Sequence, residues 1–432
     1  MSLSTEAKSH AEPSSEVATP TPPTGVKRFT MVGPGLITAA TGVGAGDLVA
    51  ALVAGTKYNM TFVWAIVLGA IIKFALNEGV GRWSLATGKT ILQGWRSLGS
   101  WTTIYFGIYV VIWGFVYGAA GTSSAALAST AMFPQIPLWG WAIIHGLVAF
   151  GLVWMGRYQI FEKVMMWLTG FMFITVVGSA IFVFPTILDL VGGLVPRLPD
   201  GSLFYALGLI GGVGGSITMA SYGYWIKEKK WSGRPWIPIM RFDSATAYIM
   251  TSIFTIALLI VGAGFLFGTG ITIEGEKGLL ALGELLGERF GEWVRWLFLL
   301  GFWSASFTSV LGVWNGVPYL FADFMRHLGK DREYEDPEPV KETSKWYRAF
   351  LIWLTFPPML LLFLGKPVQL VIAYGVLGAV FMPFLAITLI WLLNSKRVAS
   401  DMRSTWISNF ILGASVALFL FLGYQELVKV LS

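Results

Sequence analysis

From about residue 30 onward, long apolar stretches alternate with short polar connections, and each stretch reaches or approaches the roughly 20 residues that cross a hydrocarbon core of about 30 Å. Eleven such segments can be placed, near 30–55, 60–84, 101–131, 137–155, 158–184, 203–226, 242–268, 289–322, 346–364, 367–393 and 405–429. In lipid the backbone must satisfy its own polar groups, so each segment is predicted as a helix and the fold as all-α, polytopic and integral to a membrane. Residues 1–28 differ: they are rich in Ser, Thr, Pro and Glu and carry no apolar run, so they lack the core of a cleaved signal peptide. They are predicted to be a disordered cytoplasmic tail ahead of a transmembrane domain over 29–432.

Composition supports that class. Of 432 residues, 55% are apolar and only 12% charged, with a mean hydropathy of +0.68, too little charge to solvate a globular surface of this size. With the tail placed in the cytoplasm, 22 of the 30 Lys and Arg fall on the cytoplasmic connections and 7 on the opposite ones, Lys73 lying within the second span. This asymmetry accounts for the net charge of +6, puts the N-terminus inside and the C-terminus outside, and makes nucleic acid a poor partner. Trp101, Trp139, Trp231, Trp236 and Trp346 near span ends are expected interfacial anchors. With no Cys and only His10, His145 and His327, thiolate and histidine-rich metal sites are excluded, as are disulfides.

Two spans are unlike the rest. Glycine clusters, 42-GVGAGDLV-49 in the first and 211-GGVGGSITMASYG-223 in the sixth, stand at mid-membrane depth where strong helix formers are expected. The first and sixth spans are corresponding elements of two five-helix halves, about 30–184 and 203–393, with 405–429 an extra helix. Matched interruptions point to an inverted-repeat secondary transporter that holds its cargo between unwound segments, with breaks at Gly42, Gly46, Gly212, Gly214 and Gly215. Unwinding frees carbonyls that attract cations, and Asp47 adds a carboxylate about halfway along its span. The sixth span carries no Lys or Arg before Lys227, so a transported cation is the simplest partner for that charge.

Between about residues 30 and 425 the chain also resembles the NRAMP divalent-metal transporters. The resemblance is carried by 33-GPGLITAA-40, 86-ATGKT-90, 240-MRFDS-244, Pro383-Phe384 and 403-RSTWISN-409, in that order. It implies an eleven- or twelve-helix bundle of two inverted five-helix repeats and a divalent cation as cargo, with no resident cofactor. Where that family has Asp-Pro-Gly-Asn, this chain has Gly44-Ala45-Gly46-Asp47, so the carboxylate moves by one turn. Met-Pro-His becomes Met219-Ala220-Ser221, which keeps a thioether and loses the His. The carbonyls completing the family's site fall at Thr41 and Ser216, and its tenth-helix Gln at Phe381. Thioether leans the preference towards Mn²⁺ or Fe²⁺, whereas carboxylate, carbonyl and water suit Mg²⁺. The family's proton-coupling carboxylates in the third span are missing, since residues 101–131 contain no Asp, Glu or His, so transport without proton coupling is expected.

Other polar residues are given packing roles or left open. Ser221, Tyr222 and Ser306 are candidate pathway residues with Phe381, although small hydroxyls also bind membrane helices together. Glu78 and Arg82, four apart, form either a structural pair or a gate. His145 is expected to pack, and Lys73 to snorkel along its stem without function. No zincin, Walker or Ser–His–Asp pattern supports an enzyme; 86-ATGKT-90 lacks the upstream glycine of a phosphate loop. The alternatives to metal transport are a carrier of a small organic solute, such as an amino acid whose amine meets Asp47, and a non-transporting sensor.

Overall fold

The computed structural model describes residues 33–43, 45–212, 215–269, 276–328, 340–364 and 367–431, with isolated positions 22, 23, 25 and 330. No strand occurs among them. The first half comprises α1 (Pro34–Gly42), α2 (Ala45–Tyr58), α3 (Val63–Thr87), α4 (Ile91–Leu98), α5 (Ser100–Met132), α6 (Leu138–Trp154), α7 (Tyr158–Ile181) and α8 (Ile187–Gly192). The second comprises α9 (Leu203–Gly212), α10 (Thr218–Glu228), α11 (Ile237–Leu266), α12 (Glu276–Phe290), α13 (Glu292–His327), α14 (Lys345–Thr355), α15 (Met359–Leu362), α16 (Pro367–Asn394) and α17 (Trp406–Leu431). Every apolar segment expected from the sequence holds helical residues, and both glycine-rich spans are interrupted. Among the described residues, Ala50–Thr87, Ser100–Met132, Gln159–Ile181, Arg234–Leu266 and Glu292–His327 are long and apolar enough to cross a bilayer unaided.

Packing repeats between the halves. α11 lies against both pieces of the first broken span, α1 and α2, and α3 lies against both pieces of the other, α9 and α10. Likewise α13 packs on α7 while α5 packs on α16. Small residues let the backbones approach: a Cβ on Gly55 would strike the Leu259 carbonyl and one on Gly262 the Leu52 carbonyl, so α2 and α11 touch main chain to main chain. Gly69 serves α3 in the same way, where a Cβ would lie 3.0 Å from Ile210 Cα on α9.

The connections explain pieces of sequence that resisted reading. In 86-ATGKT-90, Gly88 takes the left-handed conformation (φ 67°) that closes α3, and Thr90 opens α4 with a capping box shared with Gln93. That stretch is a helix stop followed by a helix start. Two of the expected tryptophan anchors are also corrected. Trp231 and Trp236 are buried and stacked on each other at 5.1 Å, filling the turn between α10 and α11, whereas Trp101 and Trp139 are exposed as an interfacial role requires. The expected tail, residues 1–28, lies almost wholly outside the described residues.

Candidate functional site

The first break is short. Pro34 supplies a preset φ at the first position of α1, and the buried carboxylate of Asp243 on α11 receives the Gly33 and Gly35 amides at 2.9 and 2.6 Å. The opening Gly-Pro-Gly and the distant Asp243 thus form one cap that sets the angle at which the half-helix enters the bundle. α1 ends at Gly42, Val43 bends, and α2 starts at Ala45. Gly46, expected in the break, instead lies in the first turn of α2. Asp47 is the third residue of α2, where the positive end of a helix dipole favours a carboxylate. Its side chain, like Gly44 as a whole, lies outside what is described.

At this break the carbonyls are met by neutral donors. Ser309 on α13 donates to the Thr41 carbonyl at 2.7 Å, and Thr308 reaches the Ala40 carbonyl at 3.5 Å. The Thr41 hydroxyl turns back to Ile37 (2.5 Å) and occupies the space a side chain at Gly312 would need. A carbonyl has two acceptor positions, and among the described residues Ser309 is the side chain that fills one at Thr41.

The second break is met differently. α9 stops at Gly212, Gly215 adopts φ 77°, and α10 starts at Thr218. Into this gap comes Lys73 from α3, fully buried, its ammonium donating to the Gly211 carbonyl at 2.8 Å and to the Gly215 carbonyl. The sequence expectation that Lys73 snorkels along its stem is overturned. Its stem is too deep to reach water, and the two freed carbonyls at the negative end of α9 give its charge a place inside. The missing counter-charge of the sixth span is supplied by the second.

The two breaks meet. A Cβ on Gly215 would lie 3.0 Å from Gly42 Cα, so the lack of a side chain at Gly215 lets the unwound segments touch. Around them the hydroxyls of Thr218 and Ser221 are buried and have no hydrogen-bond partner among the described residues, and the buried Ser216 hydroxyl faces the Tyr109 hydroxyl. Met219 is fully buried in the first turn of α10, and its amide donates to the Ser216 carbonyl at 3.2 Å. Gly378 on α16 packs on Ser216, where a Cβ would stand 3.3 Å from the serine Cβ. Thr41, Gly42, Gly215 and Ser216 therefore converge, with Met219 and Ser221 on the adjoining turns; Gly214 lies outside the described residues.

Other candidates stand in the frame. Tyr222 donates to Asp243 at 2.8 Å, and so braces the α1 cap. Ser306 bonds Ser124 on α5 at 3.0 Å, and Phe381 stacks on Tyr109 at 5.1 Å within an aromatic cluster with Trp95. Glu78 is held by two arginines, Arg82 at 2.6 Å and Arg241 at 2.9 Å, while Arg82 also donates to the Arg403 carbonyl and the Ser408 hydroxyl. This cluster ties α3, α11 and α17 together. His145 packs as expected, placed between the Trp141 carbonyl, Trp303 and Ser129.

Sequence reading missed a further buried acid. Asp323 near the end of α13 accepts from Thr90 at 2.6 Å and Tyr224 at 2.5 Å and pairs with His327 at 3.0 Å. It joins α4, α10 and α13 at one end of the bundle. Its i, i+4 spacing to His327 was the one available signal.

Residues 35–429 match the family Nramp, described as natural resistance-associated macrophage protein-like. The chain is 23% identical over 406 residues to the divalent metal cation transporter MntH of Mycobacterium leprae, covering 90% of this chain and 89% of that protein. It is 22% identical over 300 residues to the uncharacterized protein PM0681 of Pasteurella multocida, covering 67% and 69%. In structure it is similar to a variant of the Eremococcus coleocola manganese transporter, with a TM-score of 0.77, 16% identity, and coverage of 95% and 89%.

Proposed function

Because the chain belongs to the Nramp family, we propose that it carries a divalent cation across the cytoplasmic membrane, tail inside and C-terminus outside, by alternating access around the two broken helices. The observation that supports this reading is the close approach of the breaks at Gly42 and Gly215, which adjoin the two residues expected to offer carbonyls, Thr41 and Ser216. Asp47 supplies the charge from the first turn of α2, Met219 a soft ligand, and the hydroxyls of Ser216, Thr218 and Ser221 sites for the ion's retained water. Met219 inclines the preference towards Mn²⁺ or Fe²⁺ over Mg²⁺. With no Asp, Glu or His in 101–131, movement is driven by the membrane potential, about 2.3 kcal/mol per charge per 100 mV, without a proton partner.

The experiment is Mn²⁺ uptake into proteoliposomes. Wild-type protein is expected to accumulate the ion with no internal pH change, and Asp47→Ala to fall to the rate of empty vesicles. Uptake by Asp47→Ala at the wild-type rate would remove the site assignment, and metal-dependent acidification would remove the uncoupled mechanism.

One observation favours a second reading. The Lys73 ammonium and the hydroxyls of Thr218 and Ser221, which have no partner among the described residues, suit a carboxylate, as in an amino acid whose amine faces Asp47. Thermal stabilisation by a panel of amino acids, with none from divalent cations, would select it.

A further inference from the structure

Gly211 and Gly215 present their carbonyl oxygens where α9 ends and the chain unwinds, which is where a positively charged cargo would be drawn in. In this structure the position is taken by a side chain of the protein itself. Lys73 is rooted on α3, outside both breaks, and is fully buried with its ammonium donating to these two carbonyls. It does for the second break what Ser309 does for the first, with the difference that it brings a full charge.

We propose that Lys73 is a tethered competitor of the carried cation and the residue that sets how tightly divalent ions are held. The inference rests on the divalent-cation reading above. An ammonium and a divalent ion repel strongly at close range in a medium from which water is excluded. The two also want the same oxygens. A metal ion entering between the breaks therefore has two outcomes: it binds on the Thr41 side at a distance from the ammonium, weakly and with much of its water, or it displaces Lys73 and takes the α9 carbonyls. In both, wild-type affinity is held down by the lysine charge. The geometry also gives the lysine a second effect, since an empty carrier with its break already satisfied can rearrange without leaving Gly211 and Gly215 unpaired. Lys73 is thus a positioning residue for the unwound segment and a determinant of selectivity.

The test compares Mn²⁺ binding to full-length wild type, Lys73→Gln and Lys73→Arg in detergent by calorimetric titration. Glutamine removes the charge and keeps an N–H donor for one carbonyl; arginine keeps the charge. Lys73→Gln is expected to bind Mn²⁺ at least about tenfold more tightly than wild type, and Lys73→Arg no more tightly. Equal affinity in wild type and Lys73→Gln overturns the proposal and leaves the divalent-cation reading standing. If none of the three proteins binds Mn²⁺ or Mg²⁺, the divalent-cation reading falls and the competition with it. Should Lys73→Gln fail to fold, Lys73→Met, which keeps the apolar stem and removes the charge, takes its place in the same titration: tighter Mn²⁺ binding than wild type is expected, and equal affinity contradicts the proposal.

Discussion

The two interruptions occupy corresponding places in the two halves, and each is gripped by the matching helix of the other half, yet their electrostatics are opposite. At the first, freed carbonyls are met by the hydroxyls of Ser309 and Thr308, and the restarting helix carries Asp47 in its opening turn. At the second, the freed carbonyls are met by the ammonium of Lys73, and the restarting helix opens with neutral Thr218 and Met219. The repeated fold fixes where the backbone opens and leaves open what closes it. A hydroxyl yields its carbonyl at a cost of about 1 kcal/mol, whereas withdrawing a buried charge-assisted donor costs about 1.5–3 kcal/mol. The first break is therefore the one more easily given over to a cargo, and the second the one held by the protein.

That contrast can be broken by substitution. Lys73→Ala leaves two buried carbonyls unpaired and is expected to cost about 3 kcal/mol, read as a fall in thermal unfolding temperature of the purified protein. Next in size is Gly215→Ala. An alanine there is forced into a left-handed conformation and pressed against Gly42, with an expected loss of about 2 kcal/mol and of most transport, measured by the same melt and by Mn²⁺ uptake. Ser309→Ala, the counterpart of the lysine change, is expected to cost only about 1 kcal/mol. If Ser309→Ala proves as damaging as Lys73→Ala, the two breaks are equivalent and the contrast is lost.

The smallest effect lies away from both breaks and serves as a baseline. Burial pushes the Glu342 carboxyl, in the connection before α14, above the usual carboxylate range; the negative charge of Glu228 adds to this, and hydrogen bonds from Asn315 and Tyr319 oppose it. Since folding raises this pKa, the charged form is disfavoured in the native state. The penalty is absent below the unfolded value and develops as pH rises through the folded one. Unfolding temperature should therefore decline slightly as pH rises from the ordinary carboxylate range towards neutrality, and Glu342→Gln should flatten this dependence.

How much was legible follows from the range of the interactions involved. Spans are long local patterns, and glycine clusters at mid-depth are local exceptions to them, so helix positions and both breaks could be read from the chain. Lys73 could not, because its meaning depends on α3 lying against the end of α9, a contact across 138 residues. The Asp243 cap on α1 reaches across 210 residues, and it gives a physical role to two motifs that had been only points of resemblance. Trp231 and Trp236 misled for a related reason: proximity to a span end is visible in sequence, but their mutual stacking in a buried turn is not. Glu78 and Arg82 were found as a pair by spacing, while their link to Arg241 and Ser408 needed the fold.

The central claim is that a cation rests where the two interruptions touch. An anomalous-scattering map from crystals soaked in Mn²⁺ tests it most directly. The account predicts a peak between the Thr41 and Ser216 carbonyls, within reach of Met219 and the first turn of α2; a map with density only elsewhere in the protein, or none, would contradict it.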